Sequence, residues 1–131
     1  MRLLLKSLLA MLIAVFSTLP ALASETRVVP ANRPSAILFY YAMTEDSCYA
    51  GAKPKVHFTG GPTHGTVTTA WQAFRVPKGK CAGKPARGTL IIYRPTPGYH
   101  GTDKVSVIFS GDAPSGYFAR AKEWILNITV K

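Results

Sequence analysis

One eleven-residue stretch, Y-R-P-T-P-G-Y-H-G-T-D at positions 93–103, constrains the fold more than any other part of the chain. Strand-like sequence lies on both sides of it, at 88–94 and at 104–110. Pro95 and Pro97 fix φ and lack a backbone donor, so a strand that enters this stretch must end there. Gly98 and Gly101 permit positive φ. The stretch therefore predicts a corner between two strands.

Two further side chains are expected to hold this corner together. A tyrosine can bury its ring and still hydrogen-bond through its hydroxyl, and we expect Tyr99 to do so against nearby backbone. Asp103 is expected to accept hydrogen bonds from backbone donors of the corner. The predicted structural residues of the corner are Pro95, Gly98, Tyr99, Gly101 and Asp103.

The rest of the chain after residue 23 shows short strand patterns separated by turn residues, with no helical period. Residues 36–43 are apolar throughout, which is typical of a strand covered on both faces. Residues 104–110 alternate, so Val105, Val107 and Phe109 should point inward. Residues 76–87 are rich in Gly and Pro and are expected to form a long loop. About seven short strands predict an antiparallel β-sandwich, with a closed barrel as the alternative.

The N-terminus has the pattern of a cleaved export signal, predicted at residues 1–23. Arg2 and Lys6 precede a twelve-residue apolar run that ends at Leu19, and Ala21 and Ala23 form a small-x-small cleavage site. The run is short for a membrane span. We therefore expect a single mature domain at 24–131, without a transmembrane segment after cleavage, in the periplasm or outside the cell.

The mature chain is strongly basic. Removing Arg2 and Lys6 from sixteen Lys and Arg leaves fourteen against six Asp and Glu, a net charge of +8. Such a charge favours anionic partners, although it says nothing about the fold. No Lys/Arg run resembles a nucleic-acid-binding arm, so no specific nucleic-acid partner is expected.

Two cysteines, Cys48 and Cys81, remain in a chain that is expected to be exported. An even pair in an oxidising compartment predicts one disulfide. Both lie in stretches with turn composition, so the bond should join two loops at one end of the domain. The alternative, a redox or metal pair, lacks C-x-x-C or other ligand spacing.

The loop around Cys81 carries five cations and no acid: Arg75, Lys78, Lys80, Lys84 and Arg87. One interpretation is a solvated connector pinned by the disulfide. The other is a binding face for an anionic polysaccharide, a lipid headgroup or an acidic protein surface.

Residues 56–130 resemble the bacterial immunoglobulin-like, cadherin-like repeats of secreted and surface proteins. The resemblance lies in G-P-T-H-G-T-V at 61–67, the corner at 93–103, K-V-S-V-I-F-S-G-D at 104–112 and L-N-I-T-V at 126–130. It implies an immunoglobulin-like sandwich that acts as a spacer or binding module. This chain differs from the usual repeat in its single copy, its cysteine pair and its basic charge.

No catalytic, cofactor-binding or metal-binding residues are predicted. The chain has no G-x-S-x-G motif, and His57, His64 and His100 lack a metal-ligand spacing. Glu45 and Asp46 fit turn chemistry better than a cation site. We expect a secreted, non-enzymatic binding module, and the alternative is a small disulfide-stapled inhibitor that plugs an enzyme cleft with its basic loop. The oligomeric state cannot be deduced from these residues.

Overall fold

The computed structural model describes residues 24–111 and 123–131, and this part of the chain consists of strands and connecting loops without a helix. The predicted signal at 1–23 lies outside the described residues. So does most of the stretch G-D-A-P-S-G at 111–116, whose composition predicts a turn. The strands in chain order are β1 (Ser24–Val29), β2 (Ser35–Tyr40), β3 (Met43–Thr44), β4 (Tyr49–Ala50), β5 (Lys55–Gly60), β6 (Gly65–Arg75), β7 (Pro85–Pro95), β8 (Gly101–Ser110) and β9 (Glu123–Val130). The prediction of an all-β fold is confirmed for this described part. No helix in the described part is long and apolar enough to cross a membrane.

The longer strands form two sheets, in the orders β1-β9-β8-β5 and β2-β7-β6, while β3 and β4 pair only with each other. All longer neighbours are antiparallel except β1, which runs parallel to β9 over six residue pairs. The expectation of a fully antiparallel sandwich was therefore wrong at this edge. Among the described strands the first therefore lies beside the last, and backbone hydrogen bonds also join Val29 and Ala31 to Lys131.

One hydrophobic core lies between the two sheets, which gives the fold its sandwich-like character. The predicted inward positions of β8 are confirmed, because Val105 and Val107 are fully buried and Phe109 is 3% exposed. They pack in one cluster with residues of the opposite sheet, including Ile91 and Tyr93 of β7. Phe109 also stacks on Tyr40 of β2, with ring centroids 4.2 Å apart.

Two strand boundaries differ from the prediction. The apolar stretch 36–43 was expected to form one strand, but β2 ends at Tyr40 and contains a register shift between Ala36 and Leu38. The shift turns Ile37 and Leu38 both inward, which leaves Phe39 on the outer face, 39% exposed. Apolar composition alone did not reveal this bulge.

The expected long loop at 76–87 is shorter in the structure, because β7 already begins at Pro85. Strands β6 and β7 pair without interruption over eleven residues, from Gly65 opposite Pro95 to Arg75 opposite Pro85. A proline is tolerated as the first residue of a strand. The connection between the two strands is therefore 76–84, and Arg87 lies within β7.

Candidate functional site

The disulfide predicted between Cys48 and Cys81 is present, with the two Cα atoms 5.5 Å apart. Cys48 lies in the turn between β3 and β4, and Cys81 lies in the β6–β7 connection, so the bond joins two loops. Cys81 packs with Val76 and Ala86 in a small second core, against which Phe74 and Met43 also pack. The bond thereby ties the basic loop to the turn between β3 and β4.

The loop itself is compact. Ala82 donates its backbone N–H to Gly79 at 3.1 Å and Lys84 donates to Cys81 at 3.1 Å, which makes two successive turns. Val76 and Gly83 close the base, because the Gly83 N–H donates to the Val76 carbonyl at 2.8 Å. The loop backbone is held by its own hydrogen bonds and by the disulfide.

The five predicted cations are divided by the structure into two groups. Two arginines have structural contacts. The Arg75 guanidinium donates to the Gly83 carbonyl at 2.9 Å, across the base of the loop. Arg87 donates to the Trp71 carbonyl at 3.2 Å and lies 5.7 Å from the centre of the Trp71 ring, a cation–π contact. Both arginines therefore help to hold the hairpin.

The three lysines project from the loop. Lys80 lies 3.6 Å from Asp46, but both side chains are largely exposed, so this pair contributes little to stability. The absence of an acid from the loop sequence was misleading, since the disulfide brings Asp46 of the neighbouring turn beside Lys80. The side-chain ammonium groups of Lys78 and Lys84 have no hydrogen bond or ion pair within the described part of the chain. Their charge is available to a ligand.

At the opposite end of the domain, Asp103 connects the corner to the β5–β6 turn. It is only 7% exposed, and its carboxylate accepts backbone N–H groups from Thr63, His64 and Lys104 at 2.8–2.9 Å. It also accepts the Tyr93 hydroxyl at 2.8 Å. Burial alone would raise the pKa of Asp103, but the hydrogen bonds from Thr63, His64, Tyr93 and Lys104 together hold its pKa below the usual range.

Tyr93 is the buried tyrosine of this end. Its side chain is fully buried, and burial together with the neighbouring Asp103 carboxylate raises the pKa of its hydroxyl. Tyr99, which we expected to be buried, is half-buried. Its hydroxyl does bond to nearby backbone, at 2.5 Å from the Thr102 carbonyl, and its ring stacks on His64 with centroids 4.2 Å apart.

The other predicted corner residues surround this network. Pro95 is buried at the end of β7. Gly98 has a φ of 80° and donates its N–H to the Asn32 side chain at 2.7 Å. Gly101 has a φ of 147°, and a Cβ there would lie 2.8 Å from the Tyr99 hydroxyl.

The three histidines are dispersed. His57 is exposed on β5, while His64 and His100 are exposed at the corner end. Among residues 24–111 and 123–131, no three His, Cys, Asp or Glu side chains are grouped so that they could hold a metal ion.

No protein-family profile and no curated protein matches the sequence. Among solved structures, the chain is similar to the solution structure of amebosin, with 12% sequence identity and a TM-score of 0.48. The alignment covers 83% of this chain and 95% of amebosin. Similarity at this level carries no argument about function.

Proposed function

We propose that this chain is an exported, non-enzymatic binding module with an immunoglobulin-like fold, and that it binds an anionic component of the cell envelope through the three loop lysines. We call these three residues, Lys78, Lys80 and Lys84, the lysine tip. The observation that carries the proposal is the division of the five cations: two arginines hold the hairpin, while the lysines project from a rigid loop.

The strand order supports the immunoglobulin-like part of the proposal. Lettering the seven longer strands A to G in chain order gives sheets A-G-F-C and B-E-D. Immunoglobulin constant-type domains contain B-E-D and G-F-C as neighbours, and strand A lies beside B. Here strand A pairs with G instead. The disulfide also differs, because it joins two loops and not strands B and F.

The cysteine chemistry supports export and a non-enzymatic role. A disulfide persists in oxidising compartments such as the periplasm or the cell exterior. Because both thiols are bonded, neither is available as a thiolate nucleophile. The predicted signal at 1–23 is consistent with export to such a compartment.

The shape of the loop favours surface contact over cleft binding. A segment that fills an enzyme cleft in the manner of a substrate is extended, whereas the loop here folds into two successive turns. The inhibitor alternative therefore has less support than attraction to a charged surface. Three ammonium groups that project from a fixed backbone can bind several anionic groups at once, as an acidic polysaccharide or a phosphate-bearing surface presents them.

The test compares two triple variants with the same change in net charge. One neutralises the lysine tip (Lys78→Gln, Lys80→Gln, Lys84→Gln). The control neutralises three cations of the corner end (Arg33→Gln, Lys104→Gln, Lys131→Gln). Each protein is assayed against isolated cell envelope, a soluble anionic polysaccharide and vesicles with anionic headgroups.

We expect the tip variant to lose most of its binding to one of these probes, while the control retains it. Equal binding by both variants would contradict the assignment to the lysine tip. If the protein binds none of these probes but forms a stoichiometric complex with a purified enzyme, the result would favour the alternative function as an enzyme inhibitor.

A further inference from the structure

A pocket of about 580 Å³ lies at the corner end of the domain, on the outer face of the four-stranded sheet. Its volume falls within the range of roughly 300–1,000 Å³ that is typical of small-molecule sites. Strands β8 and β9 contribute the polar side chains that point to this face, namely Thr102, Lys104, Ser106, Asn127 and Thr129. No residue of the lysine tip lines the pocket, so it is a separate candidate site.

The strand register brings these side chains together. Strand β8 alternates, and its fully buried valines face the core, so Lys104 and Ser106 point to the outer face. In the antiparallel pairing of β8 with β9, Lys104 lies opposite Asn127. Thr102 and Thr129 are the next opposed pair on the same face. The pocket is therefore built on two regular strands, which hold its side chains in fixed positions.

The turn that follows β5 forms one wall of the pocket, and two glycines shape this wall. Gly60 lies opposite Ser106, and a Cβ at Gly60 would lie 3.6 Å from the Ser106 hydroxyl oxygen, an ordinary contact distance. At Gly61 a Cβ would lie 1.8 Å from the Lys104 carbonyl oxygen, so the chain passes closely over β8 at this point. Because neither residue has a side chain, the space above Ser106 stays open.

Ser106 forms the floor of the pocket and is the strongest sign of a ligand. It is only 8% exposed although it faces outward, and its hydroxyl has no hydrogen bond within residues 24–111 and 123–131. Buried hydroxyls in native proteins are nearly always paired, so this one needs a partner from outside the chain. A single ordered water would need only about 10–15 Å³ of space. The pocket is much larger, so it can hold a ligand that several side chains contact.

The other free side chains indicate the chemistry of that ligand. Within the described ranges, the side chains of Thr102, Asn127 and Thr129 also have no hydrogen bond. Hydroxyl and amide groups both donate and accept hydrogen bonds, so the pocket offers donors and acceptors close together. A ligand rich in hydroxyl groups matches this set, because each of its hydroxyls can also donate and accept.

The remaining polar residues of the lining argue against other classes of ligand. Asp103 and Lys104 carry opposite charges, so the acidic and basic residues give no net preference for an anion. The Asp103 carboxylate already accepts the hydrogen bonds described above on both oxygens, so it is not free to bind an ammonium group. Among the described lining residues His64 is the one aromatic side chain, and its ring is stacked on Tyr99. No pair of rings is therefore available there to hold a planar base.

We propose that this pocket is a glycan-binding site, which takes a short neutral oligosaccharide through Ser106, Asn127 and the two threonines, Thr102 and Thr129. The site is independent of the lysine tip, because its main contacts are hydrogen bonds between neutral groups. Binding in the pocket should therefore respond little to salt, whereas binding at the lysine tip weakens as salt is added. Either site can fail its test without affecting the other.

Two variants remove the site in different ways. Ser106→Ala deletes the unpaired hydroxyl and should weaken binding roughly two- to tenfold, the effect of one hydrogen bond. It should not lower the urea midpoint, because the folded protein loses no hydrogen bond of its own. Gly60→Val fills the space above Ser106 and should abolish binding, and a β-branched residue is well tolerated in a strand. The matched control is Ser110→Ala, on the same strand but outside the lining, which should retain binding.

The assay follows the backbone amide signals of isotope-labelled protein by nuclear magnetic resonance. Neutral tetrasaccharides of glucose, N-acetylglucosamine, galactose and mannose are added separately, and a tetrasaccharide of galacturonate is the anionic comparison. We expect at least one neutral sugar to shift the signals of Gly60, Ser106 and Asn127. Its affinity should be the same at low and at high ionic strength.

Three results would overturn the proposal. If no neutral sugar shifts these signals, the pocket holds solvent only. If galacturonate alone shifts them, the site selects charge and not hydroxyl groups. If the parent protein, Ser106→Ala and Gly60→Val bind a neutral sugar equally well, the sugar binds elsewhere on the surface.

Discussion

The role of the buried tyrosine in the Asp103 network leads to a sharp prediction. Tyr93→Phe deletes one oxygen from a side chain that is fully buried. The hydroxyl hydrogen is assigned to the 2.8 Å contact with the Asp103 carboxylate, which is shorter than the 3.1 Å contact with the His64 carbonyl. A hydrogen bond to a charged group contributes about 1.5–3 kcal/mol.

The remaining partners of Asp103 limit the loss. Its carboxylate keeps the backbone donors of Thr63, His64 and Lys104, so no unpaired buried charge remains and the ~3–5 kcal/mol cost of a broken buried ion pair does not apply. We therefore expect Tyr93→Phe to lower the free energy of unfolding by about 2 kcal/mol.

Tyr99→Phe is the matched control at the same end of the domain. Its hydroxyl also donates to a single acceptor, the Thr102 carbonyl, but this bond lies at the surface, where water can replace the lost donor. We expect a cost of about 0.5–1 kcal/mol. Urea denaturation of the three disulfide-intact proteins measures both changes, and the m-value should stay the same. A larger loss for Tyr99→Phe than for Tyr93→Phe would refute the assignment of Tyr93 as the anchor.

Three further predictions concern stability. Hydrogen bonds lower the folded-state pKa of Asp103, so its contribution to the free energy of unfolding is complete above the unfolded pKa of about 3.9 and is lost as pH falls through the folded pKa. Urea midpoints measured from pH 7 to pH 2 should therefore decrease once the pH is below about 4, and they should decrease less in Asp103→Asn. The Cys48–Cys81 bond closes a loop with 32 residues inside, so its reduction should lower the free energy of unfolding by ~3–4 kcal/mol. An unchanged urea midpoint after reduction would contradict this prediction. Gly61→Ala should lower the free energy of unfolding by about 3 kcal/mol or more, because φ is +64° and the new Cβ would lie 1.8 Å from the Lys104 carbonyl oxygen. Gly79→Ala, where φ is +87° and the new Cβ would meet open space, should lower it by only ~1–2 kcal/mol in the same denaturation assay.

Local signals in the sequence predicted the features that depend on nearby residues. The alternation in β8 identified its inward side chains, and turn composition around both cysteines predicted a bond between loops. A strand end at Pro95 follows from the missing donors of the two prolines. These features need no knowledge of the chain's distant parts.

The features that were missed depend on contacts between distant residues. The parallel pairing of β1 with β9 joins segments about one hundred residues apart, and nothing in 24–29 specifies a partner or a direction. The bulge in β2 exists because two consecutive apolar side chains, Ile37 and Leu38, both reach the core. An unbroken apolar stretch gives no indication of where such a shift occurs.

The candidate site illustrates the same limit. Five cations within thirteen residues looked equivalent in the sequence, yet Arg75 and Arg87 are bound to backbone carbonyls across the hairpin. The proximity of Asp46 to Lys80 follows only once the disulfide is known, because Asp46 lies two residues before Cys48. The disulfide was therefore the signal from which this ion pair could have been predicted.

The most direct test of the proposed function is the salt dependence of binding to the probe that the protein prefers. For nucleic acids, each phosphate that a cation neutralises contributes roughly 0.7–0.9 to the slope of log affinity against log salt. If three lysines each contact one anionic group of a charged polymer, the parent protein should show a slope steeper by about 2–3 units than the variant with Lys78, Lys80 and Lys84 changed to Gln. The corner-end variant should keep the parent slope. Equal slopes for the parent and the lysine-tip variant would show that the loop is a solvated connector and would contradict the proposal.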